Sequence, residues 1–100
     1  VRVGRRDELD LVARHGAVLV FVEVKTRCGT EFGRPASAVG PRKRHALSRG
    51  ALHYLRQLRE RPDYFRFDVV EVIGRQGEGR PDLRHIENAF PLDRCYRARW

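Results

Sequence analysis

The chain lacks any long apolar run. No stretch approaches the roughly 18 residues that cross a bilayer as a helix, so no membrane partner is expected. No basic helical face is backed by a strongly apolar one, which disfavours binding along a membrane surface. The opening Val1-Arg2-Val3-Gly4-Arg5-Arg6 lacks the apolar core of a secretory signal, and a cytoplasmic location is expected. Cysteine is scarce. Cys28 and Cys95 are too few for a disulfide framework or a four-cysteine zinc site, and are expected as thiols rather than a bridge. Their spacings to His15, His45, His53 and His85 match no linear metal-ligand motif. Repeats, low-complexity tracts and interdomain linkers are absent too. One hundred residues therefore read as one small domain, with a core over about 7–90 and a tail over 91–100.

Positive charge is abundant. Twenty-one Lys and Arg against 13 Asp and Glu give a net charge of +8, and only Lys25 and Lys43 are lysines. A field of this sign favours polyanions and salt-sensitive association, with nucleic acid the leading class. An arginine-heavy composition also follows from a GC-rich genome, and that reading stands beside the first.

The order of elements reads ββαββ. Residues 8–13 and 17–26 are strand-like and joined by Arg14-His15-Gly16, a connection suited to a hairpin. Cys28 to Gly40 reads as a loop, rich in glycine and small residues. Pro41 stands where a first helical residue is favoured, and the helix pattern runs from Arg42 to about Arg59. Leu47, Ala51, Tyr54, Leu55 and Leu58 share one helix face; Arg42, His45, Arg49, His53 and Arg56 form a polar stripe on another. Tyr64 to Ile73 alternates as a strand, Gly74 to Pro81 is a polar turn, and Arg84 to Phe90 is a short last strand. One α/β domain with a helix over one sheet face is expected. The tail, with Tyr96 and Trp100, is expected to fray.

The informative run is Val18-Leu19-Val20-Phe21-Val22-Glu23-Val24-Lys25. It is a buried strand that ends in two charges spaced i, i+2, which places them on one face. Charges in such a place must be paired, solvated or bound to an ion. If the hairpin brings Asp10 beside Glu23, the two carboxylates suit a hard cation such as Mg²⁺, with Mn²⁺ as its substitute. The backbone carbonyl of Val24 is a candidate third ligand. Lys25 is then positioned to orient an attacking water or stabilise phosphate charge. Asp10, Glu23 and Lys25 are thus the candidate catalytic set for phosphodiester cleavage.

Asp10 with Glu23-Val24-Lys25 resembles the PD-(D/E)xK nuclease superfamily. More narrowly, Glu8-Leu9-Asp10-Leu11-Val12-Ala13, Val20 to Arg27, Phe32-Gly33, Ala38-Val39, Pro41-Arg42-Lys43, Arg66-Phe67-Asp68-Val69-Val70 and His85 to Phe90 resemble the YraN family. That family is similar to archaeal Holliday-junction resolvases. The resemblance implies a restriction-endonuclease-like α/β fold, a central mixed sheet flanked by helices, and an endonuclease acting on DNA, with branched DNA and a homodimer by analogy. The family's N-terminal helix, whose glutamate approaches the metal site, would precede Val1. Where the family pattern reads Gly-Glu-Ile-Asp, this chain has Asp7-Glu8-Leu9-Asp10, with an extra acid in front. Glu8 and Asp68 are candidate supporting acids, each also readable as a structural or solvated group. Arg27, Arg42, Lys43 and Arg49 are candidate nucleic-acid contacts. A catalytically inactive nucleic-acid-binding module and a basic protein–protein adaptor are the rival readings.

Overall fold

The computed structural model describes residues 1–5, 7–28, 39–74 and 79–99, with the side chains of 27, 28, 98 and 99 outside that description. Most of the expected loop from Cys28 to Gly40, much of the turn before Pro81, and Trp100 lie outside the described residues.

Four strands form the central sheet, in the order β3 (Leu11–His15), β4 (Val18–Cys28), β5 (Tyr64–Gly74), β6 (Asp82–Phe90). The outer pairs are antiparallel and β4 pairs parallel with β5. A parallel pair needs a crossover, and helix α1 (Pro41–Gln57) lies within it. The fold is thus a mixed α/β domain, as the order of elements implied, and of the restriction-endonuclease-like kind that the family resemblance implied.

The first strand differs from its expected course over 8–13. It breaks at Leu9-Asp10 into β2 (Asp7–Glu8), which pairs with β1 (Arg2–Val3), and β3, which pairs with β4. Leu9 is buried at the break, its N–H bonded to the Val1 carbonyl at 2.6 Å. The β1–β2 hairpin packs on α1 rather than extending the main sheet. Its turn holds Gly4 at φ +67°, where a Cβ would stand 2.4 Å from His53 Cε1. The β3–β4 hairpin is tighter than expected, since His15 pairs directly with Val18. That leaves Gly16-Ala17 as the loop, with Gly16 at φ +62° supplying the backbone a two-residue turn demands.

Helix α1 forms where the periodicity put it. Pro41 opens it, and Leu58 closes it in an extended conformation shortly before Pro62. Leu47, Ala51, Leu52 and Leu55 are buried against Leu19, Phe21, Phe67, Val69 and Phe90 of the sheet. Phe21 anchors this layer, with ring centroids 5.7–5.9 Å from Tyr54, Phe65 and Phe67. Each such side chain, fully buried, contributes about 1.5–3 kcal/mol.

The polar stripe of α1 is not a solvated face along its length. Arg49 bonds Asp7 of β2, and His53 sits under the Gly4 turn. His45 meets the chain's end, where Arg94–Arg99 forms a 3₁₀ helix instead of a frayed tail. Leu92 and Tyr96 pack on the core there, and the Asp93 N–H donates to the fully buried Ser48 Oγ at 2.8 Å. Among the described residues, no helix is long and apolar enough to cross a membrane.

Candidate functional site

The apolar run of β4 turns charged where α1 begins. Leu19, Phe21 and Glu23 share one parity and face the helix. The first two enter the core, whereas Glu23 arrives beneath the first turn of α1, and its side chain is 9% exposed. That turn carries no acidic residue; Arg42, Lys43 and Arg44 occupy it. Positive charge at a helix N-terminus opposes the macrodipole, and Lys43 offsets this by placing Nζ 3.6 Å from Glu23 Oε2.

Asp10 reaches the same place from the bend before β3. The pairing of Leu11 with Val22 sets Asp10 across from Glu23, and Asp10 Oδ2 accepts the Val24 N–H at 2.9 Å. The two carboxyls lie within bonding reach of each other. Burial, then the bond with the Asp10 carboxyl, push the Glu23 carboxyl up to about 7, with Lys43 pulling the other way. Glu23 Oε2 is buried and accepts no hydrogen bond among the described residues. A buried carboxylate oxygen with the Lys43 ammonium at 3.6 Å but no hydrogen bond, beside a second carboxylate, fits a hard divalent cation, which takes oxygen ligands from one or two carboxylates. Asp10 and Glu23 would be its side-chain ligands.

Lys25, two residues on, shares the Glu23 face and is half-buried. Across from it in the parallel ladder stands Glu71, only 2% exposed. Sequence reading missed Glu71, although the signal existed: it has the parity of Phe65, Phe67 and Val69 and is the charged residue in that series. Lys43, expected as a phosphate contact, was not foreseen as the counter-charge of Glu23.

The supporting residues disperse. Glu8 is exposed on β2, across from Arg2. Asp68 pairs in register with Val22 and so projects to the sheet face opposite Glu23. There it fills the irregularity between β5 and β6, accepting the Asn88 N–H at 2.9 Å, Arg66 Nε at 2.9 Å, and bonding His85 Nε2 at 2.8 Å. Burial alone would raise its carboxyl, but the Asn88, Arg66 and His85 bonds outweigh burial and hold it below the usual range.

The candidate nucleic-acid contacts divide likewise. Arg42 is exposed on the first turn of α1, beside Lys43. The Arg27 side chain lies outside the described residues. Arg49 is committed to packing: its Nε and Nη2 fork onto the buried Asp7 carboxylate at 2.7–3.1 Å. The extra acid of Asp7-Glu8-Leu9-Asp10 is therefore the partner of Arg49, not a member of the Asp10–Glu23 cluster.

The family model described as "Uncharacterised protein family UPF0102" matches residues 1–72. A UPF0102 protein of Symbiobacterium thermophilum is 50% identical over 86 residues, covering 86% of this chain and 72% of that relative. One from Frankia alni is 46% identical over 86 residues, covering 86% and 71%. One from Geotalea daltonii is 44% identical over 85 residues, covering 85% of this chain and 66%, just under two thirds, of that relative's length.

Proposed function

We propose that this chain, which belongs to the uncharacterised protein family UPF0102, is a metal-dependent endonuclease that cleaves phosphodiester bonds of nucleic acid. The observation that carries this reading is the pair of carboxyls, Asp10 and Glu23, with Glu23 Oε2 buried and accepting no hydrogen bond among the described residues, and Lys25 on the same face. When bound, Mg²⁺, or Mn²⁺ in its place, polarises the phosphate and lowers the pKa of an attacking water.

The chain's own groups do the rest. The Val24 N–H fixes Asp10, so one ligand is oriented by a strand rather than by a mobile loop. Glu23, ionised by loss of its proton to solvent, would be the second ligand, with the cation replacing Lys43 as its counter-charge. Lys25 orients the water and stabilises charge that grows on the phosphate oxygens. Arg42, at the rim of the same helix turn, holds the neighbouring backbone phosphates as an exposed cation. Branched DNA is the favoured substrate, by analogy with resolvases. Cutting both strands of a junction then calls for a homodimer.

The Lys43–Glu23 pair favours one rival, a binding module in which the ammonium neutralises the acid in place of a cation. An assay separates the two. Linear, flapped, forked and four-way-junction DNA are incubated with Mg²⁺ or Mn²⁺, beside Lys25→Ala and a chelator control. Cleavage that either control abolishes supports the nuclease. Salt-sensitive binding without cleavage overturns it in favour of the binding module.

A further inference from the structure

The geometry points to a second metal site, distinct from the carboxylate pair: a zinc site made by His45 Nδ1, a carboxylate oxygen of Asp93 and Cys95 Sγ. These three ligand atoms lie within 4.8 Å of one another. His45 comes from the second turn of α1, and Asp93 and Cys95 from the start of the C-terminal 3₁₀ helix. No linear motif could reveal it, because His45 and Cys95 stand 50 residues apart and meet only when the chain's end docks on the helix.

Distances support the assignment. Zinc bonds of about 2.3 Å to sulfur and about 2.0–2.1 Å to nitrogen and oxygen, at tetrahedral angles, separate sulfur from nitrogen by about 3.6 Å and nitrogen from oxygen by about 3.3 Å. The structure has Cys95 Sγ 3.7 Å from His45 Nδ1, and His45 Nδ1 3.2 Å from Asp93 Oδ2. Two of the three pairs are thus at ligand spacing before any ion enters, and the Asp93–Cys95 pair lies within 4.8 Å.

Each donor is also held from behind. The Asp93 N–H is bonded to buried Ser48 Oγ, and Asp93 Oδ1 accepts the Cys95 N–H at 3.1 Å. Tyr96 Oη lies 3.2 Å from His45 Nε2. A proton on Nε2, donated to Tyr96, leaves the Nδ1 lone pair for the metal, the outer arrangement that metal-binding histidines use. Binding releases the Cys95 thiol proton to solvent and leaves the imidazole neutral. A thiolate, an imidazole and a carboxylate select zinc over Mg²⁺ and leave a fourth position for water. The ion would staple the 3₁₀ helix to the end of α1 that also carries Lys43.

Cobalt titration of the purified chain tests this. Co²⁺ is expected to bind one-to-one at this site, with a thiolate-to-cobalt charge-transfer band that Zn²⁺ bleaches and excess Mg²⁺ does not. Cys95→Ser should abolish the band. Tyr96→Phe, which keeps the ring, should keep the band and weaken affinity about tenfold. The double variant Asp10→Ala, Glu23→Ala should leave the band unchanged, which separates this site from the proposed nuclease centre. Absence of the band in the unmodified chain, its survival in Cys95→Ser, or its loss in the double variant would each overturn the proposal.

Discussion

Glu23→Gln should make the protein more stable at alkaline pH while removing a ligand of the proposed metal. The Glu23 carboxyl ionises near 7 in the folded chain and near 4.5 otherwise, because burial and the Asp10 carboxyl both favour its neutral form. Its folded-state value is raised, so the neutral acid stabilises the fold fully below pH 4.5, and that contribution is lost as pH climbs through 7. Above both values the loss is about 3 kcal/mol. Glutamine mimics the neutral acid in size and polarity and does not titrate. The variant and the parent should therefore unfold alike at pH 4, and the variant should gain about 3 kcal/mol at pH 8. For a domain of this size that is on the order of 12 °C in Tm or more. Carboxylates remote from Glu23 titrate alike in both proteins and cancel in the difference. The assay is urea unfolding of both at pH 4, 6 and 8 in chelator, repeated at pH 8 with Mg²⁺. The ion should stabilise the parent alone, narrowing the gap. A gain equal at all three pH values, or a loss at pH 8, would refute the reasoning.

Arg49→Ala leaves the buried Asp7 carboxylate without its fork and should destabilise by about 3–5 kcal/mol in denaturant titration. The double variant with Asp7→Ala should lose less than the sum of the singles. Asp68→Ala should destabilise by about 1–3 kcal/mol at pH 7, by removing the acceptor of the Asn88 N–H and leaving Arg66 the looser contact with Glu87. Because the Asp68 value is depressed, that difference should hold above the ordinary carboxylate range and shrink as pH falls from there through its lowered value, read by unfolding at pH 7, 4 and 2. Gly4→Ala meets both a positive φ and His53, and should cost about 1–3 kcal/mol in Tm-derived stability, with His53→Ala recovering part. Lys43→Arg should weaken Mg²⁺ binding by calorimetry at least about tenfold, because a planar fork can hold Glu23 by two bonds where the ammonium stands 3.6 Å away.

Legibility followed the range of the interactions. The β4 run, the Pro41 start of α1, the apolar face through Leu55 and the alternation of β5 are local patterns, and each formed where the periodicity indicated. The adjacency of Asp10 and Glu23 was also accessible, since a short hairpin fixes the register of its strands. What escaped were pairings set by tertiary docking. The break at Leu9-Asp10 arises because Leu9 is drawn into the core and Asp7 to Arg49 on α1. The ordering of the tail depends on Ser48, invisible among the apolar positions of the helix face until the Asp93 N–H is seen to bond it. Asp68 shows the limit from the other side: its place in an alternating strand gave the correct face, but the irregularity that it fills belongs to β6.

The use of lysine gives the candidate centre a logic that charge counts hide. Arginine supplies nearly all the cations of this chain, and where a fixed pairing is needed arginine appears: Arg49 forks onto Asp7, and Arg66 onto Asp68. Lysine occurs only at 25 and 43, the two positions that flank Glu23, one along its strand and one on the helix above. An arginine there would present a planar fork matched to a carboxylate and would always be charged. An ammonium is a compact point charge that stands 3.6 Å from Glu23 without the two-point grip of a fork. A carboxylate that exchanges its counter-charge for a divalent ion, as proposed for Glu23, needs a neighbour of that second kind. The same contrast separates Asp7 and Glu23, both buried acids: one is held by the fork of Arg49, and the other keeps an oxygen that accepts no hydrogen bond among the described residues.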